Sequence, residues 1–132
     1  MLKKFQLEDC KLVCTPMIVG CKLRKEDQSK AVDPKHYRSL IGSLLYVTTS
    51  RTDVKQVVGM VTRFQVATKE SHFQAIKRIF RYLLGTIDLG LWYPSKNSFS
   101  LKAYSNAYLE GCVDDIKSTS GGAFFLGESL VA

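Results

Sequence analysis

Adjacent carboxylates at Asp114 and Asp115, with Glu110 nearby, are the residues of this sequence best suited by type to hold a divalent cation for phosphoryl transfer. They fall in a loop-like stretch, where a pair of acids is ordinarily solvated. Cys10, Cys14 and Cys21 are separated by three and six residues, which is not a zinc spacing, and no paired histidines accompany them. His36 and His72 stand singly near helix starts and read as surface or cap-adjacent residues. There is no serine nucleophile motif and no phosphate-cradling glycine loop. The residues therefore predict no metal site and no cofactor. A different chemistry is open to Lys77, Arg78 and Arg81. Lys77 and Arg81 are i,i+4 neighbours on a helical pattern, and Arg78 lies beside them. Such a basic edge can attract phosphates, with an affinity that falls as salt rises.

The elements that position these residues follow from pattern. The chain has 132 residues, 45% of them hydrophobic and 23% charged, within ordinary globular usage. Nineteen Lys and Arg against twelve Asp and Glu give a net charge of +7, which permits nucleic acid or another anionic surface as partner without identifying either. Four cysteines are too few and too uneven for a disulfide scaffold. No apolar run approaches the ~20 residues of a membrane span. Met1-Leu2-Lys3-Lys4 has the charge of a signal peptide, but Gln6, Glu8, Asp9 and Lys11 interrupt the apolar segment that should follow. A conventional cleavable signal is not predicted.

Leu2 to Asp9 fits the end of a short helix, and Cys10 to Asp33 reads as an irregular connector with solvated charges. Asp33-Pro34 opens a helix, with Tyr37, Leu40, Ile41, Leu44, Leu45 and Val47 as its apolar stripe. A second helix starts near Thr52-Asp53 and turns Val54, Val57, Val58, Val61 and Phe64 inward. Its β-branched residues make it dependent on tertiary packing. Thr68 is placed to cap a third helix, and Gly85 to end it in the left-handed region. Phe73, Ile76, Phe80 and Leu83 form the stripe of that helix, widened by Ile79 and Leu84. Beyond Gly85 the period becomes two. Leu89 to Tyr93 and Phe99 to Ser105 predict a hairpin, and Gly121 to Leu126 a third strand left as an open edge. The fold class is α+β, helices first and an antiparallel sheet after.

Several runs resemble copia-type retrotransposon Pol polyproteins. They are Tyr37-Arg38-Ser39-Leu40-Ile41-Gly42-Ser43-Leu44-Leu45-Tyr46, Ala75 through Thr86, Asp88-Leu89-Gly90-Leu91-Trp92-Tyr93 and Asp115 through Gly121. Glu8-Asp9-Cys10-Lys11 and Cys14-Thr15-Pro16-Met17 fit the same family. The resemblance implies a helical reverse-transcriptase thumb and connection over residues 1–93. Over 94–132 it implies a truncated antiparallel RNase H-like sheet. The family's polymerase palm would lie before Met1. Val113-Asp114-Asp115 lacks the aromatic residue of a Tyr-x-Asp-Asp turn and matches an ordinary loop of the family. The first RNase H strand of the family reads Tyr-Ser-Asp-Ala-Asp; here it reads Tyr104-Ser105-Asn106-Ala107-Tyr108. Asn106 thus stands at a lost metal position, since a neutral amide lacks the charge a hard cation prefers. The resemblance implies a chain that is not an enzyme.

The chain also resembles sequences described as secreted RxLR effectors of oomycete plant pathogens. The translocation motif of those proteins has a degenerate match in Cys21-Lys22-Leu23-Arg24, with Cys21 in place of the first arginine and Glu26-Asp27 as the acidic pair. This second resemblance implies a non-catalytic, secreted effector that enters the host cell, nucleus or cytoplasm, and modulates plant cell death, suppression being the favoured direction. Its partner would be a host protein of unknown identity. The alternative is an inactive intracellular retrotransposon remnant with residual nucleic-acid binding at most.

Overall fold

The computed structural model describes residues 11–18, 20–90, 92, 94–95, 100–108 and 119–131. The chain divides into two compact units, Met1–Ile87 and Asp88–Ala132. The described elements are α-helical in the first unit and β-stranded in the second, an α+β chain.

In the first unit, α1 spans Pro34–Val47. The Asp33 carboxylate accepts the Lys35 N–H at 2.9 Å, and Pro34 occupies the first turn, as the sequence predicts. The helix ends in a run of hydroxyls. Thr48, Thr49 and Ser50 donate back to the carbonyls of Leu45, Tyr46 and Val47, and the last two also accept backbone N–H groups of the following turn. A 3₁₀ turn over Thr52–Val54 leads into α2, Lys55–Thr62. The third helix, α3, spans Glu70–Gly85.

The core lies between these helices. Tyr37, Leu40, Ile41 and Leu44 come from α1; Val58 and Val61 from α2; Ile76, Ile79 and Phe80 from α3. Val54 and Phe64, at the two ends of the second helical segment, complete it. The buried Tyr37 hydroxyl donates to the Val61 carbonyl at 2.7 Å, so the one polar atom of that side chain is satisfied. Burial pushes the Tyr37 phenol well above its usual value. Leu45, predicted in the α1 stripe, is instead 48% exposed. It follows Leu44 by 100° around the helix, beyond the edge of the face that α2 and α3 cover.

Two helix-end expectations are corrected. Thr68 does not cap α3. It is buried, and its hydroxyl donates to the Phe64 carbonyl while its own carbonyl accepts the Val32 N–H. The cap position is Lys69, whose N–H donates to His72 Nδ1 at 3.1 Å. A lysine ammonium has no lone pair with which to cap in the usual sense, so His72 closes this end from inside the helix. Gly85 remains helical. Among the described residues the glycines of positive φ are Gly20 and Gly127, and the α3 end is held by Thr86, whose hydroxyl donates to the Tyr82 carbonyl at 2.8 Å. Gly85 itself lies beside Leu12. A Cβ there would lie 3.4 Å from Leu12 Cβ.

In the second unit the strand order is β1-β2-β3, all antiparallel: β1 Leu101–Tyr108, β2 Thr119–Leu126 and β3 Ser129–Leu130. The register pairs Leu101 with Leu126 and Asn106 with Gly121. Gly127, at φ +64°, opens the two-residue turn into β3, a conformation that favours glycine. Two sequence expectations change here. Leu89, Gly90 and Trp92 form no strand, and among the described residues the partner of β1 is β2. The Gly121–Leu126 strand is not an edge but the middle of the sheet, because the polar turn at Gly127-Glu128 returns the chain as β3. Leu2 to Asp9, Leu91, Tyr93 and Phe99 lie outside the described residues.

Candidate functional site

The predicted basic edge lies on α3, and its three cations are differently engaged. Lys77 Nζ sits 4.6 Å from the Phe73 ring centroid, a cation–π contact that leaves the charge available. Arg78 is held by the segment before α1. Its Nε donates to the Thr15 carbonyl at 3.1 Å and its Nη2 to the Thr15 hydroxyl at 2.9 Å. The Nε of Arg81 is buried without a hydrogen-bond partner among the described residues. All three side chains are half-buried. The α3 periodicity thus groups the charges, and packing turns one of them toward Thr15.

That preceding segment is irregular with Lys22, Arg24, Lys25 and Glu26 exposed, as the sequence predicts, and it is also strapped to α3. Leu12 lies against Gly85, Thr15 against Arg78 and Arg24 against His72, so the strap runs antiparallel to α3. Cys21 and Leu23, half of the degenerate motif, are half-buried; Leu23 packs on the core, while Lys22 and Arg24 are exposed. The Cys21 N–H donates to the Ile18 carbonyl. The Arg24 carbonyl meets His72 Nε2 at 2.7 Å. His72 was expected at the surface or beside a cap; it is beside the cap but fully buried, stacked on Phe64 with ring centroids 4.0 Å apart. Since Lys69 N–H can only donate and Arg24 C=O can only accept, His72 is the neutral Nε2–H tautomer. Asp27, in the same strap, accepts from the Ser29 N–H at 2.9 Å and from the hydroxyls of Ser29 and Ser71. Those hydroxyls, Ser29 first, hold its carboxyl down at about 2.

Asn106 lies on β1 opposite Gly121, with its side chain exposed. Alternation places it on the same sheet face as Lys102 and Tyr104. Glu110, Asp114 and Asp115, like Cys10 and Cys112, lie outside the described residues. Cys14 and Cys21 are free thiols. Among the described residues no three His, Cys, Asp or Glu side chains cluster as metal ligands, and no helix is long and apolar enough to cross a membrane.

Sequence reasoning missed a polar clamp between the 3₁₀ turn and the end of α3. Arg51 grips Asp53 bidentately, at 2.9 and 2.7 Å, and donates to the Thr86 carbonyl at 3.1 Å and hydroxyl at 2.8 Å. The Tyr82 hydroxyl donates to Asp53 Oδ2 at 2.8 Å. The hydrogen bonds from Arg51 lower the Asp53 carboxyl, and the bond to Asp53 raises the Tyr82 phenol. The available signals were an Arg-x-Asp spacing at a helix entrance and the i,i+4 pair Tyr82 and Thr86. Neither indicates that the two lie together.

No protein-family model matches the chain, and no solved structure matches it. Curated relatives do. The chain is 39% identical over 132 residues, its whole length, to the retrovirus-related Pol polyprotein from transposon RE1 of Arabidopsis thaliana. It is 34% identical over 131 residues to the Pol polyprotein from transposon TNT 1-94 of Nicotiana tabacum. It spans only 9% and 10% of the lengths of those two polyproteins. Over 97 residues, 73% of this chain, it is 34% identical to the secreted RxLR effector protein 161 of Plasmopara viticola, of which it covers 68%.

Proposed function

We propose, from the premise that this chain belongs to the copia-type retrotransposon Pol family, a function that needs no catalysis. The chain acts as a secreted effector that modulates plant host cell death and immunity, with suppression as its direction. One observation carries this reading: the relative of which the chain covers 68% is named a secreted RxLR effector. Residues 1–93 correspond in this reading to a reverse-transcriptase thumb and connection, and 94–132 to RNase H-like strands. Asn106 takes the place of the first metal-binding Asp, which removes the charge that metal-assisted strand cleavage requires. Cys21-Lys22-Leu23-Arg24 is the residue of a translocation motif, and the effector reaches a host protein in the nucleus or cytoplasm. Expression in plant leaf, alone and beside a cell-death trigger, tests the reading. A reduced death response supports it. An unchanged response with confirmed accumulation of folded chain overturns it.

A second reading has its own support in the 39% identity to a transposon Pol polyprotein over the whole chain. It is an inactive retrotransposon remnant, with residual nucleic-acid affinity at Lys77, Arg78 and Arg81.

A further inference from the structure

Thr15 is exposed, followed by Pro16, and bonded through both its hydroxyl and its carbonyl to one guanidinium. The chain has three prolines, Pro16, Pro34 and Pro94, and only Pro16 follows a serine or threonine. Described residues 11–17 form no helix or strand. Proline disfavours helical backbone in the residue before it, which suits a groove that reads extended chain. Arg78 Nη2 stands 2.9 Å from the hydroxyl oxygen, and Lys77 and Arg81 lie on the same helix.

We propose that Thr15 is a phosphorylation site for a proline-directed protein kinase and that Arg78 receives the phosphate. In the transfer, Thr15 Oγ1 forms a bond to the γ-phosphorus of ATP as the bond to the bridging oxygen breaks. ADP leaves with that electron pair, and the hydroxyl proton passes to the base of the kinase. The product places about −1.5 to −2 charges opposite a guanidinium already aimed at the ester oxygen. A hydrogen bond charged only on its donor side becomes an ion pair, able to be bidentate. Modification thus fastens the strap to α3 and withdraws Arg78 from any external phosphate. The inference does not rest on the effector reading, since it needs only Thr15, Pro16 and Arg78.

The test treats the full chain with ATP and a purified proline-directed kinase, alongside a peptide of residues 10–20. Phosphorus NMR then follows the phosphate through its second ionisation. The expected result is a single phosphate on Thr15, absent from Thr15→Ala. Its titration midpoint should lie about half a unit or more below that of the phosphopeptide, because a neighbouring cation favours the dianion. Arg78→Gln should bring the midpoint back to the peptide value, and Arg78→Lys should retain part of the shift. Modification of the peptide but not of the folded chain overturns the proposal. So does a phosphate that titrates alike in peptide, folded chain and Arg78→Gln.

Discussion

At the scale of single residues, the polar groups with the clearest physical consequence hold loops to helices. Asp27 binds two serines, Ser29 in its own turn and Ser71 in the first turn of α3. Its carboxyl lies at about 2 in the folded chain against an ordinary 3.8. A depressed carboxyl contributes stability that is present above the unfolded value and lost as pH falls through the folded one. Chemical denaturation at pH 5, 3 and 2 should therefore show loss of stability between about 4 and 2, and Asp27→Ala should flatten that part of the profile. Arg51 is the other such residue. It satisfies Asp53 and both oxygens of Thr86 from one planar group. Arg51→Ala should cost about 1–2 kcal/mol, more than a typical surface pair, because three partners lose their donor together. A lower urea midpoint with an unchanged slope is the expected signature.

Among elements, α3 organises the first unit. Its inner stripe enters the core, its first turn takes His72 and Ser71, and the strap runs along its length to Gly85. Gly85 separates two physical accounts of a helix end. A left-handed terminator would make alanine costly there. A helical glycine with a neighbour at ordinary contact distance would not. Gly85→Ala should leave the strap in place and stabilise the chain by about 0.5–1 kcal/mol, measured by thermal or urea unfolding. Alternation was legible for Leu101 to Ser105 and for Gly121 to Leu126, but their partners were not. Period-two sequence fixes which side chains share a face; it carries no signal about which neighbouring strand is hydrogen-bonded.

For the molecule as a whole, the net charge of +7 and the α3 edge bear on the second functional reading. If Lys77, Arg78 and Arg81 contact nucleic-acid phosphates, the logarithm of affinity should fall against the logarithm of salt with a slope of about −2 to −3. Replacing all three with alanine should remove most of that slope. Affinity that is unaltered by the triple substitution places binding elsewhere on the chain. Cell-death assays and salt titrations read different properties, so each functional reading can fail without the other.

The sequence by itself determined α1, α2 and α3, most of their inward residues and the family. Asp33-Pro34, the three-and-four spacing of Tyr37 through Leu44 and the long copia-like runs are local or linear signals, and the chain carries them whatever surrounds it. Tertiary structure decided what most of its other polar residues do. His72 carries its proton on Nε2 because a carbonyl 48 residues away, on Arg24, meets that ring nitrogen. Arg78 faces Thr15 because the strap crosses α3. Thr68 does not cap because its hydroxyl turns back to the Phe64 carbonyl and the helix starts one residue later, after Lys69. A charged or hydroxylated side chain can bond to any partner that arrives within reach, so its role is set by which distant segment packs there and not by its own position in the chain.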